Sequence, residues 1–233
     1  MSAHSLLPPS SMALVIKCPA TLAIPKPPQK TTIFTERGTR YHEIMEKWLR
    51  DGEELPDDYA VQIASKYPAM LASNPDVTLE CEKRVFFGDL IGVDDDIAFG
   101  TSDIVGYNHS TDTLFVIDYK FGKHKVECEE NIQLALYAWG AYRQAPRART
   151  VQMAIIQPEN GKDRYLSTWL ITVEYLKNFL DEKLKDCRED IRNYLVLGCS
   201  SCLKKCVGEH CHKYFCHNKA NCKEYVQYVW NAV

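Results

Sequence analysis

A chain of 233 residues has room for one domain with at most an appendage. With 45% hydrophobic and 25% charged residues it is not a disordered chain, and 28 basic against 31 acidic residues (net −3) exclude a uniformly basic nucleic-acid coat while leaving room for a local basic groove. No apolar run approaches the roughly 20 residues of a membrane span, and Met12–Ile16 is too short for a signal-peptide core, so a soluble, cytoplasmic protein is expected.

Residues 1–35 are rich in Pro and Ser, with Pro8-Pro9-Ser10-Ser11 and Pro25–Pro28 as breakers. They are expected to wrap the surface around one short helix at Ser11–Lys17. Tyr41, Ile44, Met45, Trp48 and Leu49 recur at helical spacing and predict a helix from Glu36 to Arg50. A second helix is expected over Asp57–Ala72. The period then changes to two: Leu79, Cys81, Lys83, Val85 and Phe87 alternate with Thr78, Glu80, Glu82, Arg84 and Phe86, which suits a strand. Ile97–Tyr107 and Thr113–Lys120 read as two more strands, with turns at Asp94-Asp95-Asp96 and Asn108–Asp112. Glu129–Arg143 predicts a helix packed on a sheet, Val151–Gln157 a strand with a partner at Tyr165–Thr172, and Val173–Leu197 one long amphipathic helix. This order implies an α/β fold, an α/β/α sandwich around a small mixed sheet. The expected divisions are a wrapping segment (1–35), a core (36–172) and a C-terminal helix with a cysteine-rich end (173–233).

The strand Leu114–Lys120 closes on two charges. Alternation puts Asp118 and Lys120 on one face, where each needs a partner to offset desolvation. Asp103, on the preceding strand, can sit beside Asp118 if the hairpin pairs in register. Two carboxylates that close repel, and a divalent cation resolves the conflict. The competing reading is a buried Asp118–Lys120 ion pair with Asp103 capping a turn. Gly100 is expected to keep the backbone open for a bulky ligand. His42 lies one position from the apolar stripe of its helix and can point toward the sheet edge. Gln133 and Tyr137 share a helix face.

Six of the ten cysteines crowd the tail, as Cys199-x2-Cys202-x3-Cys206-x4-Cys211-x4-Cys216-x5-Cys222, with His210, His212 and His217 interleaved. Clustering at one end without an export signal points to Zn²⁺ or an iron–sulfur cluster rather than a disulfide scaffold. A zinc site built from Cys199, Cys202 and two later ligands competes with the cluster. Cys81, Cys128 and Cys187 read as packing or surface residues.

Gly38-x3-His42, Glu82, Gly100-x2-Asp103, Asp118-Tyr119-Lys120 and Gln133-x3-Tyr137, in this order, resemble the PD-(D/E)XK nuclease superfamily, specifically the RecB-like exonuclease branch and its phage-encoded members. The Pro9-Ser10-Ser11 to Cys18-Pro19 segment and the cysteine tail extend the resemblance over most of the chain. It implies a restriction-endonuclease-like sandwich with a metal-bound C-terminal extension, and a metal-dependent exonuclease acting on DNA ends in phage recombination or repair. Asp103 and Asp118 would ligate Mg²⁺ or Mn²⁺, with His42 and the backbone carbonyl of Tyr119 completing the shell. Lys120 would orient and help deprotonate the attacking water, and Gln133 and Tyr137 would support the site. Glu82 is the upstream acid that fits best, with Glu80 as the alternative. Similar nucleases hold a [4Fe–4S] cluster, here implying Cys18, Cys211, Cys216 and Cys222. The four-residue gap between Cys211 and Cys216 departs from the two expected, and Cys199, Cys202 and Cys206 remain alternatives. DNA contacts are expected from Lys123, His124 and Lys125, and from Arg143, Arg147 and Arg149. A single-strand annealing or recombination protein is an expected partner. A non-catalytic nucleic-acid-binding module on the same fold is the rival reading, and a redox protein a weaker one.

Overall fold

A computed structural model describes residues 5–25, 32–161, 164–214 and 216–230. Of the breakers at Pro25–Pro28, Pro27 and Pro28 lie outside the described residues. The helices are α1 (Met12–Lys17), α2 (Ile33–Asp51), α3 (Tyr59–Ala72), α4 (Gly88–Ile91), α5 (Ile132–Gln144), α6 (Val173–Leu184), α7 (Arg188–Leu197), α8 (His210–Lys213) and α9 (Lys223–Trp230). The strands are β1 (Val77–Phe86), β2 (Phe99–Asn108), β3 (Thr113–Tyr119), β4 (Thr150–Ile156) and β5 (Leu166–Thr172).

The strands form one sheet in sequence order, antiparallel except for β3 and β4, which run parallel through the α5 crossover. Alternation assigns the two sheet faces. Leu114, Val116, Met153 and Ile155 pack with α5 and α6. Phe115, Ile117, Ala154 and Ile156 pack with Met45 of α2 and with Val61, Ala64 and Tyr67 of α3. The architecture is therefore the expected α/β sandwich around a mixed sheet. Helix α5 approaches β1 closely because residue 140 is glycine: a Cβ there would stand 2.8 Å from Val85 Cβ and from the Phe86 nitrogen. Caps mark the helix starts where short polar residues stand. Thr32 and Thr35 reciprocate at α2, Asp58 accepts from Ala60 at α3, and Asn131 accepts from Leu134 at α5.

Two expectations are corrected. The single helix over Val173–Leu197 is two helices, broken at residues 185–187. A straight helix over that span would be roughly 37 Å long and would carry its apolar stripe past the sheet. The break returns Cys187 and Ile191 to the core, fully buried or nearly so, and Asp181 clamps the joint by accepting from Lys177 and Arg188. The alternation of β1 also does not run through unbroken. Leu79 packs on the α2–α3 side and Val85 on the α5 side, although both are odd-numbered. The phase reverses at Glu82, whose φ of 49° is left-handed.

Candidate active site

The site assembles at the carboxyl end of β3. Asp118 points to the α5 side and is only 4% exposed. Gln133 Nε2 lies 3.4 Å from its Oδ1 and also donates to the Tyr137 hydroxyl at 3.1 Å. Lys120 Nζ stands 2.6 Å from Asp118 Oδ2, as the alternation of Asp118 and Lys120 required. This is the buried ion pair of the competing reading, and beyond Lys120 the buried Oδ2 meets no donor among the described residues. Burial raises the Asp118 pKa, the neighbouring Asp103 adds to the rise, and Lys120 opposes it.

Register places Asp103 next. Ile104 pairs with Ile117, so the two aspartates are the next opposed positions of β2 and β3. There the ladder gives way to a side chain: Asp103 Oδ2 accepts from the Tyr119 backbone nitrogen at 2.6 Å, and its Oδ1 lies 3.3 Å from His42 Nδ1. His42 reaches the sheet from α2 with its ring edge-on to Tyr119 and Phe121. Burial disfavours its protonation, but the Asp103 hydrogen bond and the charges of Asp103 and Asp118 outweigh it, and its pKa is raised.

Glu82 lies opposite Asp103, between the Cys81–Ile104 and Lys83–Ser102 pairs. Its left-handed backbone is strained for a non-glycine residue. Desolvation, then the charges of Asp103 and Glu46, push its carboxyl up to about 7, although the side chain keeps solvent access. Glu80, the alternative, is turned away and pairs with Lys83 at 2.5 Å, because the phase reversal at Glu82 puts Glu80 and Lys83 on one face. Glu46 was not singled out from the sequence. Its position one helical turn after His42 is the signal that would have found it.

No group of three or more His, Cys, Asp or Glu among the described residues is already arranged to hold a metal ion. The donor chemistry nevertheless suits a hard divalent cation. Two opposed carboxylates, one of them buried, share a single ammonium and repel each other, a conflict that such an ion would relieve. Gly100 does not hold space open for a ligand. A Cβ there would stand 2.7 Å from Pro9 Cγ and from Tyr137 Cε1, so its lack of a side chain admits the N-terminal segment and α5.

The expected basic contacts separate. Lys123, His124 and Lys125 are exposed on the loop that follows β3, Lys125 pairing with Glu127. Arg143 is partly exposed and is held by Asp89, Asp95 and the Phe86 carbonyl. Arg147 and Arg149 precede the amino end of β4, remote from Asp118, and Arg149 lies 3.3 Å from Asp112.

In the cysteine-rich region, Cys18, Cys206, Cys211, Cys216 and Cys222 line one cavity of about 470 Å³. Ala20 donates to the Lys204 carbonyl at 3.1 Å and Cys206 N donates to Cys18 Sγ at 3.5 Å, joining the N-terminal segment to the tail. Burial raises the Cys18 pKa, and the nearby Cys206, Cys211 and Cys216 add to it against a backbone hydrogen bond from Cys206. Cys199 and Cys202 are joined in a disulfide, 5.6 Å between Cα atoms, so neither is a free thiolate for the alternative zinc set. Cys128 and Cys187 are buried and Cys81 is half-buried, as packing residues.

Among the described residues, no helix is long and apolar enough to cross a membrane. Among solved structures, the chain is similar to a phage related exonuclease from Haemophilus somnus 129PT, at 14% identity and a TM-score of 0.34, covering 82% of this chain and 95% of that one. It is similar to SSO0001 at 12% identity and a TM-score of 0.33, covering 79% of this chain and 78% of that one. The family described as "Protein of unknown function (DUF2800)" matches residues 50–233, most of the chain, and the chain belongs to that family.

Proposed function

We propose that the chain is a metal-dependent deoxyribonuclease, an exonuclease that hydrolyses phosphodiester bonds at DNA ends in phage recombination or repair, working beside a single-strand annealing or recombination protein. The observation that carries this reading is the convergence at the end of β3 of the buried Asp118, the opposed Asp103 and Lys120, whose Nζ is 2.6 Å from Asp118 Oδ2. Mg²⁺ or Mn²⁺ held by Asp118 and Asp103, with His42 and the Tyr119 carbonyl, would supply charge neutralisation at the phosphate and an acidified water.

The chain's own groups do the rest. Gln133 and Tyr137 hold Asp118 in one orientation. His42 and the Tyr119 nitrogen do the same for Asp103. Lys120 presents a cation where negative charge develops on the phosphate, and orients the water that attacks it. The thiols of Cys18, Cys211, Cys216 and Cys222 suit a [4Fe–4S] cluster, with Zn²⁺ as the alternative, and Cys206 shares their cavity. Such a group would tie the two ends of the chain together.

The test is digestion of end-labelled single- and double-stranded DNA with and without Mg²⁺. Wild-type protein is expected to release labelled product only with the metal, and Lys120→Ala to lose on the order of 10²–10³-fold in rate. Wild-type rates in Lys120→Ala overturn the assignment. Salt-sensitive DNA binding with no cleavage by the wild type favours the non-catalytic module instead.

A further inference from the structure

Between β3 and α5 the chain runs from Lys120 to Asn131 without helix or strand. It does not hang free. Phe121 is buried among the α2–α3 side chains, whereas Val126 and Cys128 pack on the α5 side. The loop therefore crosses the carboxyl ends of β3 and β4 from one face of the sheet to the other. Lys123, His124 and Lys125 occupy the exposed crest of that crossing. Three neighbouring basic-type residues offer little apolar area to order a crest, and fixing each backbone residue costs about 1–2 kcal/mol.

One side chain from the neighbouring strand compensates. Gln157 follows β4 directly and is 1% exposed. Its Nε2 donates to the Gly122 carbonyl at 2.6 Å and to the His124 carbonyl at 2.7 Å, and its Oε1 accepts from the Val126 nitrogen at 3.0 Å. Both amide hydrogens and the carbonyl are thus given to the backbone of the loop, on both sides of Lys123 and Lys125. An amide is the one neutral group that can meet two carbonyls and an N–H at once. Lys120, where the loop begins, is held separately by its backbone bond to the Ile156 carbonyl at 2.9 Å.

We infer that Gln157 is a positioning residue for DNA: it holds the 122–126 crest in the shape that presents Lys123 and Lys125 to the backbone phosphates of the strand entering the Asp118 site. This rests on the nuclease reading above. Phosphate contacts of this kind appear as the salt dependence of binding, with a slope of about −0.9 for each phosphate neutralised on duplex DNA.

The experiment measures binding of a fluorescent duplex across a salt series without divalent metal, together with KM and kcat with Mg²⁺. Gln157→Leu is expected to weaken binding roughly tenfold, with a salt slope shallower by about one to two, and to raise KM more than it lowers kcat. Gln157→Glu, which keeps the acceptor but sets a carboxylate against two carbonyls, is expected to behave as badly. Lys123→Ala with Lys125→Ala, both surface changes, should lower the slope equally, and adding Gln157→Leu to that pair should cost little more. Wild-type affinity and slope in Gln157→Leu, or losses that add fully to those of the lysine pair, overturn the inference. So does a Gln157→Leu or Gln157→Glu defect confined to kcat. Wild-type protein that neither binds nor cleaves DNA overturns the nuclease reading itself, a result distinct from any of these.

Discussion

The two candidate sites are built on opposite principles. At the end of β3, every polar group is placed by an element that has other reasons to be where it is. Asp118 and Asp103 sit in a sheet register fixed by buried neighbours, His42 lies on a helix packed through Met45, and Gln133 on one packed through Leu134. In the cysteine region, α8 spans only His210–Lys213, and among the described residues the local apolar cluster is Cys211, Cys216 and Tyr225 with Leu14, Val207 and Cys222. Among the described residues, cysteines are thus both a large part of that cluster and its candidate ligands. The sheet end is preorganised by the fold, whereas on the proposed reading the tail would be held by the metal group it binds.

The sharpest way to break this contrast is Asp118→Ala. It should abolish Mg²⁺-dependent DNA degradation, by about 10³-fold or more, while leaving the metal content of the tail unchanged. If the tail loses its metal as well, the two regions are not independent. Next in size, Cys18→Ser should bleach a protein that is expected to be brown and iron-containing when purified without oxygen. It should also open the tail to proteolysis while the sheet keeps its circular dichroism. Colourless wild-type protein with stoichiometric zinc would replace the cluster and leave the nuclease proposal standing.

A smaller effect is expected at Tyr137→Phe, which removes the hydroxyl that accepts from Gln133. Losing one neutral hydrogen bond of about 1 kcal/mol predicts a rate loss of roughly fivefold through looser placement of Asp118. No change in rate would mean that Asp118 is held without Gln133. The smallest effect lies at the joint leading toward the tail. Hydrogen bonds from Lys177 and then Arg188 lower the Asp181 pKa below its ordinary 3.8. The stabilisation is therefore present above that value and is lost as pH falls through the lowered folded value. Because these side chains are largely in solvent, Asp181→Asn should cost only about 0.2–1 kcal/mol in thermal unfolding at pH 7. The difference from wild type should shrink on acidification.

Much of the site was legible in order and spacing. Asp118 and Lys120 share a face because strand period demands it, and Gln133 and Tyr137 share one because helix period does. Gly100 misled, since a missing side chain in a strand signals close approach without saying by what. Here the neighbours are Pro9 and Tyr137. For Arg143, a positive charge near the end of a helix says nothing of Asp89 and Asp95, which reach it from elsewhere in the chain. Gln157 could not be found at all, because its three partners lie more than 30 residues away in sequence.

The sequence by itself determined the alternation of helices and strands, the charged end of β3 and the crowding of thiols at one end, because periodicity and composition act through neighbours along the chain. Only the tertiary structure decided that β1 reverses phase at Glu82, that Cys18 joins Cys206, Cys211, Cys216 and Cys222 around one cavity, that Cys199 pairs with Cys202, and that a buried glutamine shapes the loop beside Asp118. Those features depend on which distant groups meet once the sheet closes, and desolvation then makes each unmet polar group costly enough to dictate its partner.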